Sequence, residues 1–202
     1  MKKALIIIDM QNEFCLESKV KIKDNYQSII SPINDLSSSF RENGLKVFWV
    51  NWSIEPSLEN ISNFQKEKFN NFEYPPSMSW KKKLNKSKKV LERSSWSADI
   101  VSPLKQSKND VYISKQRVSG FWYTNLNEQL KDHNITELYF AGINTDQCVL
   151  ATLQDAHCIG YNCYLVEDCT STSSPDYCFQ AALYNIENCF GSITNSTLLL
   201  FK

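Results

Sequence analysis

The chain has 202 residues, enough for one α/β domain with a sizeable core and too few for two comfortable ones. Apolar residues make up 42% and charged residues 22%, and 22 Lys and Arg balance 22 Asp and Glu. That balance leaves no net field to draw the chain to nucleic acid or to an anionic membrane surface. Seven cysteines are an odd number, and none are spaced as Cys-x-x-Cys. This usage fits a reduced, cytoplasmic protein better than a disulfide framework.

No apolar stretch reaches the roughly 18 uninterrupted residues of a membrane helix. The opening, two lysines and then Ala4 to Ile8, resembles the start of a signal peptide, but the apolar run stops at Asp9 and is too short for one. It reads as a first buried strand. Tyr26 to Asn43 carries Ile29, Ile30, Ile33, Leu36 and Phe40 at helical spacing, with Gly44 as its stop. Leu45 to Val50 is a second strand. Residues 51 to 109 follow as an irregular insertion within a single domain spanning 1–202. The insertion holds Pro56, Pro75, Pro76 and Pro103, the tryptophans Trp52, Trp80 and Trp96, and a basic run from Lys81 to Lys89 that reads as a solvated face.

Regular signals resume at a third strand, Val111 to Ser114. A helix over Tyr123 to His133 packs Leu126 and Leu130. A strand over Glu137 to Ala141, a helix over Thr145 to Ile159 stopped by Gly160, and a strand over Tyr161 to Val166 come next. A helix from Pro175 to Asn188 and a short strand from Gly191 to Asn195 complete the pattern. Such alternation predicts a parallel sheet covered on both faces, with chemistry at the carboxyl ends of its strands.

Three strand ends carry unusual residues. Asp9 closes the first, Lys115 closes the third, and Cys148 follows the fourth in the first turn of a helix. Each alone has an ordinary explanation: an aspartate caps turns, a lysine is solvated, and a helical cysteine is a small buried hydrophobe. Together they make chemical sense. A thiolate is the attacking form of cysteine, and a helix N-terminus and an adjacent ammonium both favour it. Asp9 is placed to take the thiol proton and return it to a leaving amine. The expected species is a coupled group in which the sulfur is held ionised.

The motifs around these residues resemble the isochorismatase-like hydrolases. Asp-Met-Gln-Asn-Glu-Phe from residue 9, Lys-Gln-Arg-Val-Ser-Gly-Phe-Trp-Tyr-Thr-Asn-Leu from residue 115, and Gly-Ile-Asn-Thr-Asp-Gln-Cys-Val-Leu-Ala-Thr from residue 142 occur in the family's order. The resemblance implies a three-layer α/β/α, Rossmann-like fold around a six-stranded, mainly parallel sheet. It also implies Asp9 as proton shuttle, Lys115 as electrostatic partner and Cys148 as nucleophile. A non-proline cis peptide of the family would fall between Ile143 and Asn144 and would aim the backbone N–H of Asn144, with that of Cys148, into an oxyanion hole.

Nicotinamidase-type relatives place an Asp and several His after the second strand. Here that stretch is Asn51-Trp52-Ser53-Ile54-Glu55-Pro56, and the two histidines, His133 and His157, lie elsewhere. No metal and no other cofactor is expected. Cys148 favours C–N hydrolysis over vinyl-ether hydrolysis. Asn51-Trp52, the insertion, and Arg93-Ser94-Ser95-Trp96 look most like the ureidoacrylate and biuret amidohydrolase branch. That likeness implies a small amide, ureido or carbamoyl substrate walled by Phe14, Trp52, Trp96 and Phe121, with polar contacts from Gln11 and Asn51. Each aromatic fits plain core packing as well. Arg117 is suited to a substrate carboxylate or to a surface ion pair, and the sequence leaves both open. Cys15 either lines the pocket or is buried. Asp168 reads as a turn cap. Alternative readings are a nicotinamidase-like amidase without the usual metal site, a non-catalytic binder, and a thiol sensor built on Cys148. The resemblance also implies a homodimer or homotetramer.

Overall fold

The computed structural model describes residues 2–17, 26–55, 63 and 91–199. The lysine run and the Pro75-Pro76 pair of the insertion lie outside the described residues. Among the described residues, ten α-helices and strands carry the fold. They are β1 (Lys2–Ile8), α1 (Tyr26–Glu42), β2 (Lys46–Trp52), β3 (Val111–Lys115), α2 (Leu126–Asp132), β4 (Ile135–Ile143), α3 (Leu150–Ile159), β5 (Asn162–Ser171), α4 (Asp176–Asn185) and β6 (Ser192–Thr194).

The strands form one sheet in the order β3-β2-β1-β4-β5-β6, every pair parallel. Burial on both faces explains why β1 reads as an unbroken apolar run rather than an alternation. Leu5 and Ile7 face the layer of α1, where Ile29, Ile33, Leu36 and Phe40 pack. Ala4, Ile6 and Ile8 face the other layer, with Leu126 and Leu130 of α2 and Leu153 and Ala156 of α3. Among the described residues, no helix is long and apolar enough to cross a membrane.

Element boundaries differ from expectation where local backbone geometry intervenes. The helix expected from Tyr123 starts only at Leu126, because Tyr123 has a left-handed φ of 59° that an α-helix does not admit. The helix expected from Thr145 opens with a wider π-type turn, Thr145–Val149, before α3 proper. It stops at Gly160, whose φ of 111° lets its N–H cap the carbonyls of Ala156 and His157. β5 runs on to Ser171, past a register shift opposite Phe140 and Gly142.

Strand order reverses direction between β1 and β4, and at such a switch point a crevice opens at the carboxyl ends of the strands. Asp9 directly follows β1 and Asn144 directly follows β4, so the topology delivers both to that crevice. The two strands approach tightly there. A Cβ on Gly142, whose φ is 107°, would come within 2.1 Å of the Ile8 carbonyl oxygen, so only glycine fits.

A buried polar cluster fastens the far edge. Asp110 accepts from Arg41 Nε at 2.9 Å and Nη2 at 2.7 Å, from the Trp49 indole at 2.8 Å and from the Ser107 amide at 2.9 Å. Burial pushes the Asp110 carboxyl up, but these donors and the Arg41 charge outweigh it and hold it below the ordinary 3.8. Folding therefore lowers this pKa, and its stabilisation is complete above the ordinary carboxylate value and lost as pH falls through the depressed folded one. Asp110→Asn is expected to destabilise the protein by about 3 kcal/mol at neutral pH. Urea unfolding should show that deficit shrinking in acid, towards and below pH 3.8.

Candidate active site

Strict strand alternation would send the side chain of residue 9 towards α1, with Leu5 and Ile7. Asp9 instead has a left-handed φ of 53°, which breaks the alternation and returns its carboxylate to the opposite layer. There it meets Lys115, whose Nζ lies 2.9 Å from Oδ2, with 0% and 2% of the two side chains exposed. β3 supplies the lysine in register with Trp52 of β2. The ammonium also donates to the Arg117 carbonyl at 3.2 Å and sits 4.1 Å above the Trp52 ring.

The Cys148 thiol contacts the same carboxylate from the turn after β4. The three residues singled out at separate strand ends therefore converge on one buried point. The peptide between Ile143 and Asn144 is cis, as the resemblance implied. Asn144 is locked in place: its side-chain oxygen accepts from the Ser173 amide at 2.9 Å, and its carbonyl accepts from Gln147 and Val149.

Electrostatics revise one expectation. Burial pushes the Cys148 thiol up to about 12, against the pull of the Lys115 charge, so the resting sulfur carries its proton and is not a standing thiolate. Burial also raises the Asp9 carboxyl, with Lys115 opposing. Its link to Lys115 at 2.9 Å is a buried ion pair, and a carboxyl raised by burial is a stronger proton acceptor than a free one.

Comparison with known proteins shows the family. The isochorismatase domain model matches residues 3–197. The chain belongs to the isochorismatase family. It is 30% identical to the ureidoacrylate amidohydrolase RutB of Serratia proteamaculans, an alignment that takes in 95% of this chain and 79% of the relative. An isochorismatase family protein from Desulfovibrio vulgaris superposes with a TM-score of 0.81 at 20% identity, with 98% of this chain and 96% of that one covered. The nicotinamidase PncA of Bacillus subtilis superposes with a TM-score of 0.76 at 27% identity, with 96% of this chain and all of that one covered. This chain is an isochorismatase-family hydrolase.

Around the isochorismatase-family site, the expected substrate contacts fare unevenly. Gln11 was expected to meet substrate, but its side chain is engaged by backbone. Nε2 donates to the Trp52 carbonyl at 2.8 Å and the Ala98 carbonyl at 2.7 Å, and Oε1 accepts from the Trp52 amide at 2.9 Å. It is a clamp joining β1, β2 and the returning end of the insertion. Asn51 was also expected at the substrate. By strand alternation it shares the α1-side face with Trp49, and it lines a cavity of about 340 Å³ with Trp52, Tyr112 and Ser114. Phe121 stacks on Tyr161, just past the C-terminal end of α3, and serves packing there.

Trp52 does lie at the site, and Phe14 is half-buried beside both core layers. Trp96 is 48% exposed, and its carbonyl fixes Asn12. Arg117 donates to the Gln116 carbonyl and lies 4.9 Å over the Tyr123 ring. Cys15 is buried in the α1 layer. Asp168 caps the turn at Ser196, in line with its structural reading. His133 packs on Phe48 and His157 on Phe190.

One positioning residue went unremarked in the sequence. Thr152 donates to the Cys148 carbonyl at 2.6 Å and accepts from the Gly120 amide at 3.0 Å. It ties the nucleophile's turn to the loop that follows Lys115. Its spacing of four residues from the cysteine was the available signal.

Removing one member of the ion pair leaves the other buried without its counter-charge. Asp9→Asn and Lys115→Met should each destabilise the fold by about 3–5 kcal/mol in urea unfolding. The double variant should lose less than the sum of the two, whereas simple additivity would mean the charges do not interact.

Proposed function

We propose that this chain is a cysteine-dependent amidohydrolase that cleaves the non-peptide C–N bond of a small amide, ureido or carbamoyl compound through a thioester. The observation that carries the reading is the buried Asp9–Lys115 ion pair at 2.9 Å with the Cys148 thiol on the same carboxylate. As sulfur attacks the carbonyl carbon, its proton passes to Asp9. The ammonium of Lys115 then lies beside the protonated acid and the new C–S bond. The backbone N–H groups of Asn144 and Cys148 are the intended donors to the tetrahedral oxyanion. Loss of one such donor typically slows a reaction by about 10²–10³. Asp9 gives the proton to the departing nitrogen, and the C–N bond breaks. A water then delivers its proton to Asp9 and its oxygen to the thioester carbon. The C–S bond breaks and sulfur regains its proton.

The ureidoacrylate amidohydrolase relatives favour a ureido substrate. A nicotinamide-like ring is the second reading, favoured by the 27% identity to the Bacillus subtilis nicotinamidase. A thiol sensor fits less well, because sensing cysteines are exposed and of low pKa, whereas Cys148 is buried and its thiol is pushed up to about 12. Ammonia release should be screened over ureidoacrylate, biuret, N-carbamoyl amino acids and nicotinamide. Turnover is expected with a ureido or carbamoyl compound, and Cys148→Ser should reduce it by at least about 10⁴-fold. Unchanged turnover in Cys148→Ser would overturn the mechanism, and turnover of nicotinamide alone would overturn the ureido assignment.

A further inference from the structure

Trp52 carries more contacts than a pocket wall needs. Its backbone is gripped on both sides by one side chain, with Gln11 accepting from its amide and donating to its carbonyl. Its register partner on β3 is Lys115, and its ring face lies 4.1 Å below that lysine's ammonium. Its side chain is also a hydrogen-bonding neighbour of the Cys148 thiol and acts to lower it, and the indole N–H is that side chain's one donor. Only 8% of the residue is exposed, so both contacts sit in surroundings of low dielectric, where they are stronger than in water.

Building on the cysteine mechanism proposed above, we propose that Trp52 is a positioning residue for the nucleophile, one ring serving two members of the triad at once. The ring face holds the Lys115 ammonium in place by a cation–π contact. The indole N–H favours negative charge on sulfur, because a donor stabilises a thiolate more than a thiol. Both effects act in the same direction. They help the sulfur give up its proton against the burial that opposes it, at the moment when Asp9 accepts that proton. Gln11 holds the ring at the required height by fixing the backbone that bears it.

Two substitutions separate the contacts. Trp52→Phe keeps a ring face over Lys115 and removes the N–H. Trp52→Leu removes both. Alkylation of Cys148 by iodoacetamide, followed against pH and assigned by peptide mass mapping among the seven cysteines, reads the sulfur without needing a substrate. Trp52→Phe is expected to slow alkylation about tenfold at each pH below the thiol's titration, its profile displaced to higher pH. Trp52→Leu is expected to displace it further. A thermal melt shows that each variant is folded, and Trp52→Phe alone decides should the leucine variant not fold. Mere wall packing would leave the pH profile in place. A Trp52→Phe profile superimposable on the parent's would overturn the assignment while leaving the cysteine mechanism intact. A parent Cys148 that does not titrate, with turnover surviving in Cys148→Ser, would overturn both.

Discussion

A lysine and an aspartate held 2.9 Å apart and almost wholly out of water are an uncommon thing to build into a small domain. Desolvating two charges is expensive, and their mutual attraction compensates only when the geometry is good and other groups share the load. Much of the surrounding structure does that sharing. The Arg117 carbonyl and the Trp52 ring face the ammonium, and the Cys148 thiol faces the carboxylate. The left-handed turn at Asp9 brings the acid across the sheet to its partner. Gln11 then closes the arrangement by tying the strand of the acid to the strand of the tryptophan.

The pair also shapes the chemistry. A thiolate standing ready in the empty site would need stronger charge support than one ammonium provides at this depth. Burial dominates and keeps the proton on sulfur, so the proposed attack has to remove it as the carbonyl carbon arrives. Asp9, its carboxyl raised by burial and in contact with the thiol, is well suited to receive it. In the proposed mechanism the nucleophile is created during attack, and the burial that keeps the thiol neutral also shields it from adventitious oxidation.

Much of this was legible in the amino-acid sequence, and for physical reasons. Parallel strands buried on both faces leave unbroken apolar runs, and β1 and β4 are visible as such. A polar residue closing such a run falls at the sheet's functional edge, so Asp9, Lys115 and Cys148 stood out, and the fold was readable in strand order. The face a side chain takes near a strand end was not legible. Asn51 and Trp52 were assigned to the substrate together on the branch resemblance, which does not say that alternation points successive strand side chains to opposite faces. Gln11 lies two residues from the acid, and nothing in the sequence says that its amide is taken by backbone from residues 52 and 98. Those bonds span a long irregular segment, where pairing depends on tertiary closure rather than on periodicity. The start of α2 was misplaced for a similar reason, a single left-handed residue at Tyr123 that composition does not reveal.

The crowding at Gly142 has an evolutionary side. The backbone oxygen of Ile8 occupies the space any larger residue would need, and it belongs to a central strand that cannot retreat without dragging the acid's turn with it. The position is therefore closed to drift in any descendant that keeps this chemistry. A homologue bearing alanine or serine there, whatever its remaining motifs, would be a natural place to look for lineages in which the fold has outlived the reaction.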